Sequence, residues 1–394
     1  MKRLQITQRA KSAFCVLLLV LIVLPSSGQG QVKDAKLAKQ IGQMLMVGFR
    51  GLEVDENSPI VQDISQGRVG GVVLFDYDVS LHSTTRNIKS PKQLQKLTSD
   101  LQAASHTPLF IAVDQEGGRV ARLKEKYGFA PTVSQAWLGE GNNPELTYRY
   151  AARTAATLAE MGINVNLTPV VDVNINPDNP VIGRLERSFS SDPEVVARQA
   201  AEVITAHRDH NILTALKHFP GHGSSTRDSH HGFTDVTETW TQAELIPYAR
   251  LFESPGADMV MTAHVFNARL DPDWPATMST KVLDTLLRQK MGFTGVVISD
   301  DMQMGAIRDN YSLETALEQT ILAGADIIIF GNNLAYEPDI AHKAVQIISN
   351  LVREDRIPAS SIQQSYARIM RLKDALEKIA STQRLLQVLA KTRY

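Results

Sequence analysis

Gly295-Val296-Val297-Ile298-Ser299-Asp300-Asp301 is a short apolar, β-branched run that ends in two carboxylates. A run of this kind, too short for a helix, predicts a strand buried on both faces. Seven more occur along the chain, at Met44–Phe49, Gly71–Phe75, Leu109–Asp114, Asn164–Asp172, Leu213–His218, Asp258–His264 and Asp326–Phe330. Helical patterns separate them, among them Pro91–Ser105, Pro144–Met161, Pro193–His210, Gln242–Ser254, Ser279–Lys290 and Ser312–Ala323, several opened by Ser, Asp or Pro. Eight buried strands alternating with helices over about 300 residues predict an α/β fold, a TIM (β/α)8-type barrel, rather than an open doubly wound sheet. No G-x-G-x-x-G or Walker loop is present. The stretch from Ala341 to Tyr394 reads as helix packed on the outside, with Ser361–Leu376 its best periodic segment. It is too short for a second catalytic domain, so residues 31–394 are expected to form a single one.

Composition narrows the class. The 394 residues are 43% hydrophobic and 21% charged, which excludes a multi-span membrane protein and disorder alike. Basic and acidic residues nearly cancel, 41 against 42, so no electrostatic surface for nucleic acid is expected. The N-terminus carries Lys2, Arg3, Arg9 and Lys11, an apolar run from Phe14 to Leu24, then Pro25-Ser26-Ser27-Gly28. That order is the pattern of a secretory signal peptide, and the run is shorter than the roughly 20 residues a membrane span needs. Residues 1–30 are therefore expected to be a leader and the mature protein to be periplasmic or secreted, a monomer with no membrane association once the leader is removed; an uncleaved membrane anchor is the alternative. Losing the leader's four basic residues takes the net charge from −1 to −5. Cys15, the chain's one cysteine, lies inside the apolar run, so an internal disulfide framework is excluded.

In a barrel, reactive groups gather where the C-terminal ends of the strands converge. The third predicted strand ends in Asp114, the fourth in Asp172, the fifth in Lys217-His218, the sixth in His264 and the seventh in Asp300-Asp301. One carboxylate after a strand is usually the N-cap of the next helix. Five consecutive strands delivering ionisable groups to one rim point instead to an enzyme acting on a polar, weakly charged ligand. Residues 217–231 hold four histidines and Asp228, which raises a metal reading. Pro220-Gly221 keeps His218 and His222 off a common helical face, so neither metal nor cofactor is expected. Acid/base chemistry fits better, because Asp228, two residues before His230, is placed to orient the imidazole and raise its basicity. A surface histidine beside a surface carboxylate is the bland alternative.

These motifs resemble glycoside hydrolase family 3, in particular its single-domain β-N-acetylglucosaminidase branch. The matching pieces are DQEGGRVARL at 114–123, NLTPVVDVN at 166–174, RSFSSDP at 187–193, KHFPGHGSSTRDSHHG at 217–232 and ISDDMQMGA at 298–306. The resemblance implies Asp300 as nucleophile, His230 as general acid/base and Asp228 as its partner. It also implies that Asp114, Arg122, Arg187, Lys217 and His218 hold the sugar hydroxyls and the N-acetyl group. Arg184 is an alternative to Arg187, since the spacing before Arg187-Ser188-Phe189 is slightly longer than usual. The leader is a second departure, because the well-known members of this branch are cytoplasmic.

The expected reaction is a retaining hydrolysis of terminal β-linked N-acetylglucosamine from muropeptides, chitooligosaccharides or glycans. A histidine acid means that the usual separation of about 5–5.5 Å between two carboxyl groups does not transfer. Alternatives at the same site are a phosphorylase, which a neutral acid/base permits because it does not repel phosphate, and a β-glucosidase. A noncatalytic sugar-binding protein is the alternative outside enzymes.

Overall fold

The computed structural model describes residues 27–253 and 256–391. The predicted leader run Phe14–Leu24 and its cationic flank lie outside these residues. Eight parallel strands close on themselves: Leu45–Gly48, Gly71–Leu74, Phe110–Val113, Val165–Asn166, Leu213–Phe219, Met259–Thr262, Val296–Asp301 and Ile327–Phe330. Met46 shows the closure, pairing with Gly71 of the second strand on one side and Ile329 of the eighth on the other. A closed cylinder leaves no edge, and the helices cover its outer face, which is why these strands are apolar on both sides. The barrel expected from the sequence is the fold observed.

Boundaries shift where polar atoms compete with the ladder. The fourth strand, expected over Asn164–Asp172, is regular only at Val165–Asn166. Pro169 has no N–H to donate, and beyond it the segment keeps company with the fifth strand through single bonds, such as Val171 N–H to the Lys217 carbonyl at 2.8 Å. Asp326 stays just outside the eighth strand because its buried carboxylate accepts from Arg288 at 2.7 Å, Ser365 at 2.8 Å and Arg368 at 2.9 Å. The Ser365 and Arg368 bonds pin the C-terminal helix, Ala359–Lys391, to the N-terminal end of the eighth strand.

The six expected helices are present at Pro91–Ala103, Pro144–Glu160, Pro193–Asp209, Ile246–Phe252, Lys281–Lys290 and Leu313–Ala323. Residues 242–245 form a tighter 3₁₀ turn ahead of Ile246, and Lys281–Lys290 is wound with wider i→i+5 bonds. Helices at Ser27–Gln43, Pro59–Ser65 and Gln135–Gly141 were not anticipated. The first begins within the segment assigned to the leader. The C-terminal region divides into Ile340–Arg353 and the long final helix, which buries Ile362, Ile369 and Lys373. No helix among the described residues is long and apolar enough to cross a membrane.

Candidate active site

All eight residues that the resemblance implicates line one cavity of about 420 Å³ at the C-terminal end of the barrel. One wall is a chain of alternating charges. Lys217, on the fifth strand and fully buried, donates to Asp114 at 2.8 Å and pairs with Glu116 at 2.6 Å. Arg187 grips the same Glu116 through a two-pronged pair at 2.7 and 2.8 Å, and Arg122 approaches Asp114 at 3.4 Å. Burial alone would push both carboxyls up, but the neighbouring Lys217, Arg122 and Arg187 charges outweigh it and hold Asp114 and Glu116 below the ordinary carboxylate range. The same attraction overrides desolvation of Lys217 and keeps its amine protonated. Arg187, not Arg184, belongs to this wall. The Arg184 side chain is 66% exposed and reaches only Asp178.

The histidines of the 217–231 segment each have a separate task. Asp172 is wholly buried and accepts from His218 Nδ1 at 2.6 Å, the His218 amide at 3.1 Å and the His222 amide at 2.8 Å. The His218 ring therefore carries its proton on Nδ1 and turns Nε2 toward Arg187, 3.2 Å away. His222 sits between the hydroxyls of Ser225 and Ser229, at 2.7 and 3.1 Å. Desolvation lowers its pKa to about 4, so it stays neutral. His231 is largely exposed. Among the described residues no group of three or more His, Cys, Asp or Glu is arranged to hold a metal ion.

Asp228 and His230 form the expected pair. One carboxylate oxygen of Asp228 accepts both the His230 amide at 2.8 Å and the ring Nδ1–H at 2.7 Å, which leaves Nε2 for the cavity. Partial burial lowers the His230 pKa, but the Asp228 hydrogen bond and the charges of Asp300 and Asp228 reverse this, and the net shift is upward. Asp300, at the tip of the seventh strand, experiences the complement. Burial raises its pKa, and His264, His218 and His230 with the Asp301 amide lower it further than that. The two groups line the same cavity with pKa values shifted apart, His230 upward and Asp300 downward, an arrangement that can divide acid and base roles between them.

Asp301 is the contrasting carboxyl. Its oxygen is occupied by the Gly331 and Gln303 amides at 2.9 and 3.0 Å, and burial raises its pKa to about 6. His264 is buried and does not line the cavity. Its Nε2–H donates to the Asp301 carbonyl at 3.0 Å, and Nδ1 meets the Thr277 hydroxyl at 2.8 Å.

Three contributors escaped the sequence reading. Glu116 is two residues beyond Asp114, and period-two alternation after a strand puts both on one side, a usable signal. Asp172 had been noted only as a strand end. Glu244, wholly buried on the segment after the 217–231 loop, accepts the Gly223 amide at 2.8 Å and lies against Gly221, where any Cβ would come within 2.5 Å of it.

A closed parallel barrel with an ionised carboxylate, an imidazole–carboxylate pair and a cationic wall at its strand C-termini is a barrel enzyme in architecture. The chain belongs to glycosyl hydrolase family 3, whose N-terminal domain matches residues 36–372. It is 32% identical over 384 residues to a protein named β-hexosaminidase A from Pseudoalteromonas piscicida, covering 88% of this chain and 62% of that one. A β-hexosaminidase from Nitrosomonas eutropha is 35% identical over 306 residues, covering 75% and 82%. Among solved structures, a family 3 β-N-acetylglucosaminidase from Paenibacillus sp. str. FPU-7 superposes with a TM-score of 0.78 at 34% identity, over 86% of this chain and 63% of that chain. The chain thus spans under two thirds of the length of the Pseudoalteromonas and Paenibacillus proteins.

Proposed function

We propose that this protein is a retaining β-N-acetylhexosaminidase that releases terminal β-linked N-acetylglucosamine from muropeptides, chitooligosaccharides or glycans. The observation that carries the reading is the opposed pair, Asp300 at the tip of the seventh strand and His230, its Nδ1 held by Asp228 at 2.7 Å, lining the same cavity. The names of the relatives support the sugar. In the first step an Asp300 oxygen attacks the anomeric carbon. The bond to the aglycone oxygen breaks, and His230 Nε2–H passes its proton to that oxygen. In the second step the neutral His230 takes a proton from water, whose oxygen attacks the anomeric carbon and displaces Asp300. Asp114, Arg122, Arg187, Lys217 and His218 are proposed to hold the hydroxyls and the N-acetyl group, because fixed ion pairs present donors and acceptors without reorganising.

The test is turnover of aryl β-N-acetylglucosaminide, aryl β-glucoside and an N-acetylglucosaminyl–N-acetylmuramic disaccharide, each with and without phosphate. Hydrolysis of the first, independent of phosphate, with trapping of Asp300 by a fluorinated mechanism-based sugar, supports the reading. Phosphate-dependent release of a sugar phosphate makes the protein a phosphorylase, and absence of any labelling makes it a binding protein. We infer further that residues 1–30 are a leader, that residues 31–394 act as one monomeric catalytic domain, and that the protein works in the periplasm or outside the cell. The leader's charge and apolar order support this, and the N-terminal sequence of the exported protein tests it.

A further inference from the structure

His230 and its partner Asp228 ride on a loop, residues 226–232, whereas Asp300 is rooted in the barrel. Whatever holds that loop sets where the imidazole points. Two contacts do so. From inside, His222 meets the Ser229 hydroxyl at 3.1 Å. Asn179 donates to the Ser225 hydroxyl at 3.1 Å, and that hydroxyl meets His222 Nδ1 at 2.7 Å, so the ring that reaches Ser229 is held at both nitrogens. The His222 backbone is anchored in turn by its amide on Asp172. Ser229 stands between Asp228 and His230, so fixing it fixes both members of the pair.

The second contact comes from the short helix Gly305–Arg308, which follows the seventh strand. The Gly305 amide donates to the His230 carbonyl at 3.1 Å and the Ala306 amide to the Ser229 carbonyl at 3.2 Å. The approach is close enough that a Cβ on Gly305 would stand 3.0 Å from both the His230 carbonyl oxygen and the Gly232 amide. Gly305 follows Asp300 by five residues, so this contact ties the loop to the segment that carries the carboxylate.

We propose that His222 and Gly305 are positioning residues that clamp the 226–232 loop shut from both sides and thereby set the His230 imidazole against Asp300. The proposal rests on the hydrolase reading for its kinetic consequence but not for its structural one. Weakening the clamp misplaces the proton donor and leaves the sugar wall and the nucleophile intact. Ser229→Ala removes the inner contact, and Gly305→Val crowds the outer one.

The experiment measures kcat and KM of both variants on N-acetylglucosaminides with a poor and a dinitrophenyl leaving group, together with amide exchange at Gly305 and Ala306. For Ser229→Ala the expected result is a loss of about tenfold in kcat on the poor leaving group and less than about twofold on the activated one. KM stays within about twofold, and amide exchange speeds up by about tenfold. Gly305→Val shows the same split, larger. Equal loss on both leaving groups, or exchange identical to the parent, overturns the clamp. If the parent turns over no N-acetylglucosaminide, the hydrolase reading fails by itself and exchange alone decides the clamp, faster exchange supporting it and unchanged exchange overturning it.

Discussion

Glu244→Gln is expected to gain stability relative to the parent protein as pH rises. Glu244 is fully buried behind the 217–231 loop, with its Oε2 on the Gly223 amide and no partner for Oε1. Desolvation, with the nearby Asp172 charge adding to it, pushes its pKa from 4.5 to about 8 against the opposing hydrogen bonds. The folded chain therefore keeps this proton up to about pH 8, whereas the unfolded chain gives it up near 4.5. Folding takes up a proton between those values, so Glu244's contribution to stability is fully present below pH 4.5 and is lost as pH rises to about 8. At about 1.4 kcal/mol per pKa unit the loss across the window is roughly 5 kcal/mol.

Glutamine accepts the same Gly223 bond and does not titrate. Its extra buried N–H carries a cost that is the same at every pH, so the informative quantity is how the difference between variant and parent changes with pH. Unfolding midpoints for both proteins from pH 5 to 9 should separate progressively, in favour of Glu244→Gln. At roughly 2 °C per kcal/mol for a chain of this size, the separation amounts to about 10 °C over the range. Titrations common to both proteins cancel in the difference. A separation constant from pH 5 to 9 would show that Glu244 is ionised in the folded state and would refute the reasoning.

Asp300→Asn should lower turnover of an aryl N-acetylglucosaminide by about 10⁴-fold or more while Asp301→Asn loses far less, and equal losses would reject the assignment of the nucleophile. Lys217→Met leaves Asp114 and Glu116 facing each other without their shared cation. Urea unfolding should show a cost of about 3–5 kcal/mol, partly recovered in Lys217→Met/Glu116→Gln. Lys373, buried against Gln43, the Gly70 carbonyl and the Phe110 ring, has its pKa lowered from 10.5 to about 7 by burial. A depressed lysine favours folding increasingly as pH rises from about 7 to 10.5, so unfolding of Lys373→Met measured from pH 7 to 10 should lack that rise.

Much of this site was legible in the sequence because a barrel turns strand ends into neighbours. Asp114, Lys217, His218 and Asp300 each close an apolar run, and the topology alone brings them to one rim. Asp228 and His230 were legible for a different reason, their spacing of two in a turn. What resisted reading was the partner of each group. Whether His218 faces Asp172, or Glu116 bridges Lys217 and Arg187, depends on side-chain directions after closure, and no local pattern encodes them. Glu244 was hidden by its place in an ordinary helical pattern, where a glutamate is normally solvated. His264 closes an apolar run as Asp300 does, yet it is buried off the cavity with its ring held between the Thr277 hydroxyl and the Asp301 carbonyl, partners that no local pattern reveals.

The site divides into a wall whose charges are in direct contact and a pair whose charges act across the cavity. In the wall, Lys217, Arg187 and Arg122 balance Asp114 and Glu116 through direct contacts, so its charges stay fixed through a reaction. His230 and Asp300 are instead coupled through space, each holding the other's charge in place. On the double displacement proposed above, that coupling breaks at the required moment. When Asp300 becomes an ester its negative charge disappears, and one cause of the raised His230 pKa goes with it, while desolvation remains. The imidazole that had to be a proton donor in the first step is thereby shifted toward the neutral form it needs as a base in the second. Asp228 persists through both steps and keeps the shift moderate. A carboxyl acid in the same position would switch by the same release of charge, but starting from a pKa near 4 it would need much heavier burial to begin the cycle protonated at neutral pH.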